Sequence, residues 1–266
     1  MNRIISKSVQ KLLSTIQYLF EAPKISRQSL IVVLIGALSL VFIRYLTPFN
    51  EFIGLLELLN LDLIADQLIT FRNEATDHQL FDLIYWTICR ILFYLIVPLI
   101  AIKFLLKKSG SEFGWSKSNN LKKDLKIFAG FFCFMIPLVY LVSTQDSFLI
   151  KYPFYRPLEV SDIWPNLIIW EFFYFMQFVA LEFFFRGFLV HGLKEEVGDY
   201  SVLFMVIPYC MIHFQEPFLE TIGAIFAGLI LGYLSLKKGS IFTGIALHFG
   251  VAITMDVLAL YHLGFL

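Results

Sequence analysis

The chain of 266 residues is 58% hydrophobic, 17% aromatic and only 16% charged. Typical soluble domains are about 25% charged, and disordered chains combine low hydrophobicity with high net charge, so this composition excludes disorder and argues against a soluble core. The 21 basic and 21 acidic residues cancel, which leaves no basic footprint for nucleic acid. The composition therefore predicts an all-α, polytopic membrane helix bundle that has the lipid bilayer, and no nucleic acid, as a partner.

The first 27 residues contain five basic groups and one acid, and apolar residues recur between them at near-helical spacing. This pattern is typical of a helix that lies on an anionic membrane surface. We therefore expect an amphipathic N-terminal surface helix at 1–27, followed by a single transmembrane domain at 28–266.

Apolar runs of about 20 residues indicate about seven transmembrane helices. The fifth is short and contains Pro208, which favours a broken or tilted helix. The spans are predicted at 28–46, 81–105, 125–144, 166–190, 201–215, 218–236 and 241–262.

The charges of the connections predict the orientation. Connection 47–80 has six acids and one base, whereas 103–126 has seven lysines and two acids, which indicates that 103–126 is cytoplasmic. The N-terminus is then cytoplasmic and 47–80 is external, and its apolar residues recur at helical steps that predict an amphipathic surface helix. A single compact domain without a transit peptide fits a bacterial inner (plasma) membrane.

The sixth span carries small residues at four-residue spacing, namely Ala224, Gly228 and Gly232. Small residues on one stripe let helix backbones approach closely in lipid. We expect this stripe to pack against a neighbouring helix.

Ionisable residues inside the membrane are energetically costly and therefore mark candidate functional sites. At about 1.5 Å per residue, Glu182, His213 and His248 fall roughly 16, 18 and 14 Å from the cytoplasmic ends of their spans. Glu220 and Asp256 fall at roughly 25 Å, in a second and more external layer. The ionisable residues of the last four spans are Glu171, Glu182, Arg186, His213, Glu216, Glu220, His248 and Asp256.

A carboxylate and two imidazoles at one depth permit two kinds of chemistry. Glu182, His213 and His248 could hold a divalent metal such as zinc, or they could activate a water without a metal. Arg186, four residues after Glu182, shares its helix face and competes with a cation for the carboxylate, which favours the metal-free alternative. A third possibility is an internal hydrogen-bonded brace between helices.

Three segments resemble the motifs of the CPBP family, the CAAX-protease and bacteriocin-processing intramembrane proteases. LEFFFRGFLVHGL (181–193) is similar to the E-E-x-x-x-R-G motif, YCMIH (209–213) to F-x-x-x-H, and LHFGVA (247–252) to H-x-x-x-N or H-x-x-x-D. The motif order and the placement on separate spans also agree. The resemblance covers a protease-like core at about 165–260.

This resemblance implies an intramembrane endopeptidase that cleaves a membrane-associated or lipid-modified protein, or a leader peptide. It implies water activation by Glu182, orientation of Glu182 by Arg186, and oxyanion stabilisation or ion binding by His213 and His248. Two positions depart from the motifs, because Leu181 replaces the first glutamate and Ala252 the final Asn or Asp. Glu220 and Asp256, which follow the two histidines by seven and eight residues, are the supporting candidates.

Two other functions compete with hydrolysis. The departures at Leu181 and Ala252 would suit a non-catalytic membrane scaffold or a bacteriocin-immunity protein that retains the protease fold. A transporter or channel is disfavoured, because the sequence has no inverted repeats and the intramembrane polar residues concentrate in one half of the chain.

Overall fold

The computed structural model describes residues 9–12, 14–15, 25–117 and 120–266. Across these ranges every regular element is a helix, which confirms the predicted all-α fold. The surface helix predicted at 1–27 lies largely outside the described residues. The helices are α1 (Arg27–Leu46), α2 (Phe49–Leu58), α3 (Asp62–Asn73), α4 (His78–Leu106), α5 (Leu121–Ser143), α6 (Asp146–Lys151), α7 (Asn166–Val197), α8 (Tyr200–Met211), α9 (Phe218–Lys238) and α10 (Phe242–His262).

Six of the described helices are long and apolar enough to cross a membrane, namely α1, α4, α5, α7, α9 and α10. α8 has only 12 residues. At 1.5 Å per residue it is about 18 Å long, against a hydrocarbon core of about 30 Å. The predicted fifth span is therefore a shorter helix. The described part of the chain is an integral membrane bundle built on six long helices, and α8 is shorter than the hydrocarbon core.

The connection between the first two spans forms two helices, α2 and α3, where the sequence predicts one. The chain turns at Asn60, whose φ is +57°. Asparagine is one of the few non-glycine residues that adopt this left-handed conformation readily. The two helices pack together through Ile53, Leu56 and Ala65, whereas Leu58 and Leu63 remain exposed.

The segment between α6 and α7 is anchored on the start of α4. The Tyr155 hydroxyl and the Asn166 side-chain amide donate hydrogen bonds of 2.8 and 3.0 Å to Oδ2 of Asp77. Burial, together with the neighbouring carboxylate, raises the pKa of Tyr155 to about 12. The phenol therefore remains a hydrogen-bond donor at neutral pH and holds this segment over the start of α7.

A π-helical segment, Phe183–His191, interrupts α7. All nine of its residues are buried. Two glycines allow this segment and the residue after it to pack tightly. A Cβ on Gly187 would lie 2.7 Å from the Phe113 carbonyl oxygen, and a Cβ on Gly192 would lie 2.7 Å from the Val32 side chain. Local π geometry of this kind is frequent at functional sites.

α8 and α9 form a helical hairpin in which the small-residue stripe of α9 faces α8. A Cβ on Gly228 would lie 3.0 Å from the Tyr209 ring, and one on Gly232 would lie 2.7 Å from Val202. The predicted packing role of the stripe is therefore confirmed. The tip of the hairpin, residues 212–217, carries His213.

α10 packs against both α7 and α5. On the α5 side, a Cβ on Gly250 would lie 3.2 Å from the Phe132 ring, and on the α7 side, one on Gly244 would lie 2.6 Å from Oε2 of Glu182. These close approaches bring the polar side chains of α7 and α10 into contact.

Candidate active site

Glu182 and Arg186 form a buried ion pair at the centre of α7. Nη1 of Arg186 lies 3.1 Å from Oε1 of Glu182, and both side chains are 0% exposed. Glu182 is the last residue before the π-helical segment, and the four-residue spacing places both groups on one face. An ion pair enclosed in this way is stable only when its charges compensate each other.

The Arg186 guanidinium also lies on the face of Tyr209, with Cζ 3.9 Å from the ring centroid. Its three nitrogens have no aligned hydrogen-bond acceptor. The carboxylate of Glu182 and the π face of Tyr209 therefore supply the compensation for this buried cation.

His248 on α10 contacts the same carboxylate. Its Nδ1 lies 2.8 Å from Oε1 of Glu182. A carboxylate can only accept, so this contact assigns the proton of a neutral imidazole to Nδ1 and leaves Nε2 as an acceptor. The His248 side chain is 18% exposed, in contrast to the enclosed glutamate.

The second carboxylate oxygen, Oε2 of Glu182, is buried and has no hydrogen-bond partner. It lies against the backbone of Gly244, one turn before His248. Only a glycine at this position leaves room for the carboxylate, which explains how α10 approaches α7 so closely.

Tyr209 connects His213 to this group. The His213 ring packs on Tyr209 at a centroid distance of 4.8 Å, and His248 lies 6.3 Å from the same ring. Nδ1 of His213 lies 2.8 Å from the Tyr209 carbonyl oxygen, so Nε2 is again the acceptor of the neutral imidazole. The two histidines are close enough for their charges to interact.

The structure thus brings together the four residues that the sequence proposes as catalytic. Glu182, Arg186 and His248 are in direct contact, and Tyr209 joins His213 to them. Tyr209 was not predicted as a site residue. Its position in the YCMIH segment, one helical turn before His213, was the available signal.

The supporting candidates Glu220 and Asp256 lie in a separate layer of polar residues. Glu220 accepts hydrogen bonds of 2.8 and 3.0 Å from the Tyr152 hydroxyl. Asp256 is 0% exposed and accepts a hydrogen bond of 3.4 Å from Nε1 of Trp170. Neither carboxylate is bonded to Glu182, Arg186, His213 or His248, so any support that they give is indirect.

Comparison with known proteins shows which family this part of the chain resembles. Residues 163–254 match the model of the type II CAAX prenyl endopeptidase Rce1-like family. Over these residues the chain is similar to that family. The matched segment contains all four proposed catalytic residues and Glu220, and it ends before Asp256. No curated protein and no solved structure matches the chain.

The two departures from the family motifs are buried in apolar surroundings in this protein. Leu181 is 3% exposed and belongs to the main core, together with Phe184 and Tyr209. Ala252 packs with Trp170 and Tyr174 in a second cluster. The positions vacated by the motif residues are therefore occupied by packing side chains.

The residues around Glu182 do not fit a three-ligand metal site in this arrangement. Within the described part of the chain, no group of three His, Cys, Asp or Glu side chains could hold a metal ion. Oε1 of Glu182 is shared by a guanidinium and an imidazole, so a cation at this oxygen would have to displace Arg186. The chemistry that follows is therefore derived from these side chains alone.

Proposed function

We propose that this protein is an intramembrane endopeptidase in which Glu182 and His248 together activate the hydrolytic water. The observation that carries the proposal is the shared Oε1 of Glu182, which lies 3.1 Å from Arg186 and 2.8 Å from His248. Substrates of the proposed reaction are membrane-associated or lipid-modified proteins, or leader peptides.

Arg186 and Glu182 have complementary roles in this mechanism. The guanidinium holds the carboxylate in place through their ion pair of 3.1 Å. The ionised carboxylate then holds the Nδ1 proton of His248 and stabilises the imidazolium that forms when Nε2 accepts a proton. Because Glu182 itself is enclosed, it acts on water through His248 rather than directly.

Hydrolysis by this arrangement balances without a further reactant. Nε2 of His248 removes a proton from water while the water oxygen attacks the carbonyl carbon of the scissile bond. The imidazolium then returns the proton to the departing amine as the C–N bond breaks, which leaves a carboxylic acid and an amine. The net reaction consumes one water.

His213 fits a water-holding role better than the oxyanion role expected from the sequence. Its Nδ1 faces a carbonyl oxygen, so Nε2 of the neutral ring is an acceptor. An oxyanion needs a donor, which His213 provides only after it gains a proton. In the neutral form, His213 accepts a hydrogen bond from the water that His248 deprotonates.

The experiment is cleavage of a peptide with a prenylated CAAX terminus by the purified wild-type protein and by His248→Ala, with Glu57→Gln as an exposed control. We expect cleavage by the wild type and the control, and a loss of about 10²–10⁴-fold in His248→Ala. Comparison of membrane-protein termini in cells that express each form extends the test to leader peptides. Equal termini and equal rates for the wild type and His248→Ala would overturn the proposal.

A non-catalytic scaffold remains the second candidate, because Leu181 and Ala252 are buried apolar residues. Glu220→Gln tests a third possibility, in which Glu220 of the second polar layer is the general base. If Glu220 had taken over the role vacated at Leu181, this substitution would lower the rate as much as Glu182→Gln. The scaffold predicts that both variants retain full biological function.

A further inference from the structure

The short helix α6 and the residue that follows it, Tyr152, lie between α10 and the tip of the α8–α9 hairpin. Phe148 and Tyr152 are both buried, and they pack with Ala259 of α10 in one apolar cluster. Their two rings contact each other at a centroid distance of 4.8 Å. Aromatic side chains bury large apolar areas, so these contacts fix the segment on α10, the helix that carries His248.

Two polar contacts join the same segment to the hairpin that carries His213. Nζ of Lys151 lies 3.0 Å from Oε2 of Glu216, in the hairpin tip. The Tyr152 hydroxyl lies 2.8 and 3.0 Å from the two carboxylate oxygens of Glu220, in the first turn of α9, and donates to them. Hydrogen bonds to an ionised acceptor are roughly twice as strong as neutral ones, so these contacts hold the hairpin against the segment.

The contacts of α9 continue into the backbone of His213. Thr221, the residue after Glu220, donates a hydrogen bond of 2.6 Å from its hydroxyl to the His213 carbonyl oxygen. The His213 ring in turn packs on Tyr209 at a centroid distance of 4.8 Å. A displacement of the first turn of α9 would therefore move the backbone of His213 and change the position of its ring.

The segment is also packed against α7 through Phe154. The Phe154 ring contacts Tyr152 at 5.2 Å and Tyr174 of α7 at 5.6 Å. Tyr174 packs on Phe178, which lies 4.5 Å from the His248 ring. Close-packed interiors of this kind have low compressibility. The segment that holds the hairpin is therefore fixed to both helices that surround His248.

We propose that Lys151 and Tyr152 are positioning residues that set the distance between His213 and His248. This inference rests on the proposed function, in which the two histidines act on one water. A misplacement of about 1 Å can cost about 10²-fold in rate, so a hydroxyl that does not touch the substrate still controls kcat. Glu220 is then the hydrogen-bond acceptor of Tyr152 and not a general base.

The first test uses rescue of the Tyr152 contact by a conservative substitution. The carboxamide of Glu220→Gln accepts a hydrogen bond but takes up no proton at neutral pH, whereas Glu220→Leu accepts none. We expect the kcat for peptide cleavage by Glu220→Gln to lie within about threefold of the wild type. Glu220→Leu and Tyr152→Phe should each lower kcat by about 10–10²-fold, with a smaller change in KM.

The matched control for Tyr152→Phe is Tyr155→Phe, because it removes a tyrosine hydrogen bond of the same 2.8 Å length that goes to Asp77 of the α3–α4 connection. It should retain the wild-type kcat. The inference is overturned if Glu220→Gln is slowed as much as Glu220→Leu, if Tyr152→Phe keeps the wild-type kcat, or if Tyr155→Phe loses as much as Tyr152→Phe.

The second test measures the separation of the two elements without catalysis. Spin labels are attached to Phe214→Cys in the hairpin tip and Tyr261→Cys on α10, two exposed positions, in a protein whose native cysteines are replaced by alanine. Electron paramagnetic resonance should give a longer and broader distance distribution when Lys151→Met and Tyr152→Phe are added, and an unchanged distribution would overturn the inference. If His248→Ala cleaves like the wild type while the distribution changes as expected, the proposed function fails and the positioning contact stands.

Discussion

At the scale of single residues, the defining feature of the site is how the positive charge of the buried Arg186 is compensated. Arg186 has no aligned hydrogen bond and depends on one carboxylate and one aromatic face. Without them, a buried cation would be strongly unfavourable. Tyr209 is therefore as important to the site as the charged residues that the motif resemblance identifies.

Two substitutions of Tyr209 distinguish the contribution of its aromatic ring from that of its hydroxyl. Tyr209→Phe keeps the aromatic face over Arg186, whereas Tyr209→Leu removes it and should lower the free energy of unfolding by about 2 kcal/mol or more. Thermal unfolding in detergent and the cleavage rate measure both effects. Equal stability of the Phe and Leu variants would show that the cation–π contact contributes nothing.

Reintroduction of the motif glutamate by Leu181→Glu should not raise the cleavage rate. The Leu181 side chain lies in the apolar core, so Leu181→Glu buries a carboxyl group without a partner, at a cost of at least about 2 kcal/mol. We expect a lower midpoint of thermal unfolding and no gain in cleavage, with Leu181→Met as the control. A faster, equally stable Leu181→Glu variant would show instead that this position faces the substrate.

At the scale of elements, the α8–α9 hairpin places His213 through the contact of small residues with larger ones. Gly232→Ala adds a Cβ 2.7 Å from Val202 and should separate the two helices, with a loss of about 1–3 kcal/mol in stability and a lower cleavage rate. Gly223→Ala is the matched control, because its added Cβ meets nothing within 4 Å. Thermal unfolding and the cleavage rate are the measurements. Equal stability and equal rates in the two variants would show that the contact between α8 and α9 does not place His213.

The sequence predicts some elements of the structure better than others. Long apolar runs predict the six crossing helices, because the bilayer imposes their length. The four-residue spacing of Glu182 and Arg186 predicts their contact, because it follows from helix geometry alone. The π-helical segment of α7 and the contact of Arg186 with the Tyr209 ring depend on tertiary packing, which periodicity does not encode.

At the scale of the whole molecule, the distribution of charge predicts the orientation. The segment 103–126 is rich in lysine and the connection that contains α2 and α3 is acidic, so we expect that connection to be external. In a variant whose native cysteines are replaced by alanine, Asn73→Cys should react with a membrane-impermeant thiol reagent from outside. Reaction only from the cytoplasmic side would show that the topology is inverted.

The bundle as a whole places the proposed chemistry on two helices from distant parts of the matched segment. α7 supplies Glu182 and Arg186, and α10 supplies His248, so the site exists only when these helices are in contact. Depth along the spans predicted the level of these residues. The division of roles between an enclosed glutamate and a partly exposed histidine became clear only from the packing around Gly244.

The central claim, that Glu182 acts through His248, is tested most directly by the cleavage rates of Glu182→Gln, His248→Gln and the double variant. Each single substitution should lower the rate by about 10²–10⁴-fold. Because residues that act as a unit are not additive, the double variant should be no slower than the slower single variant. A wild-type rate in Glu182→Gln, or a double variant slowed by the product of both effects, would contradict the claim.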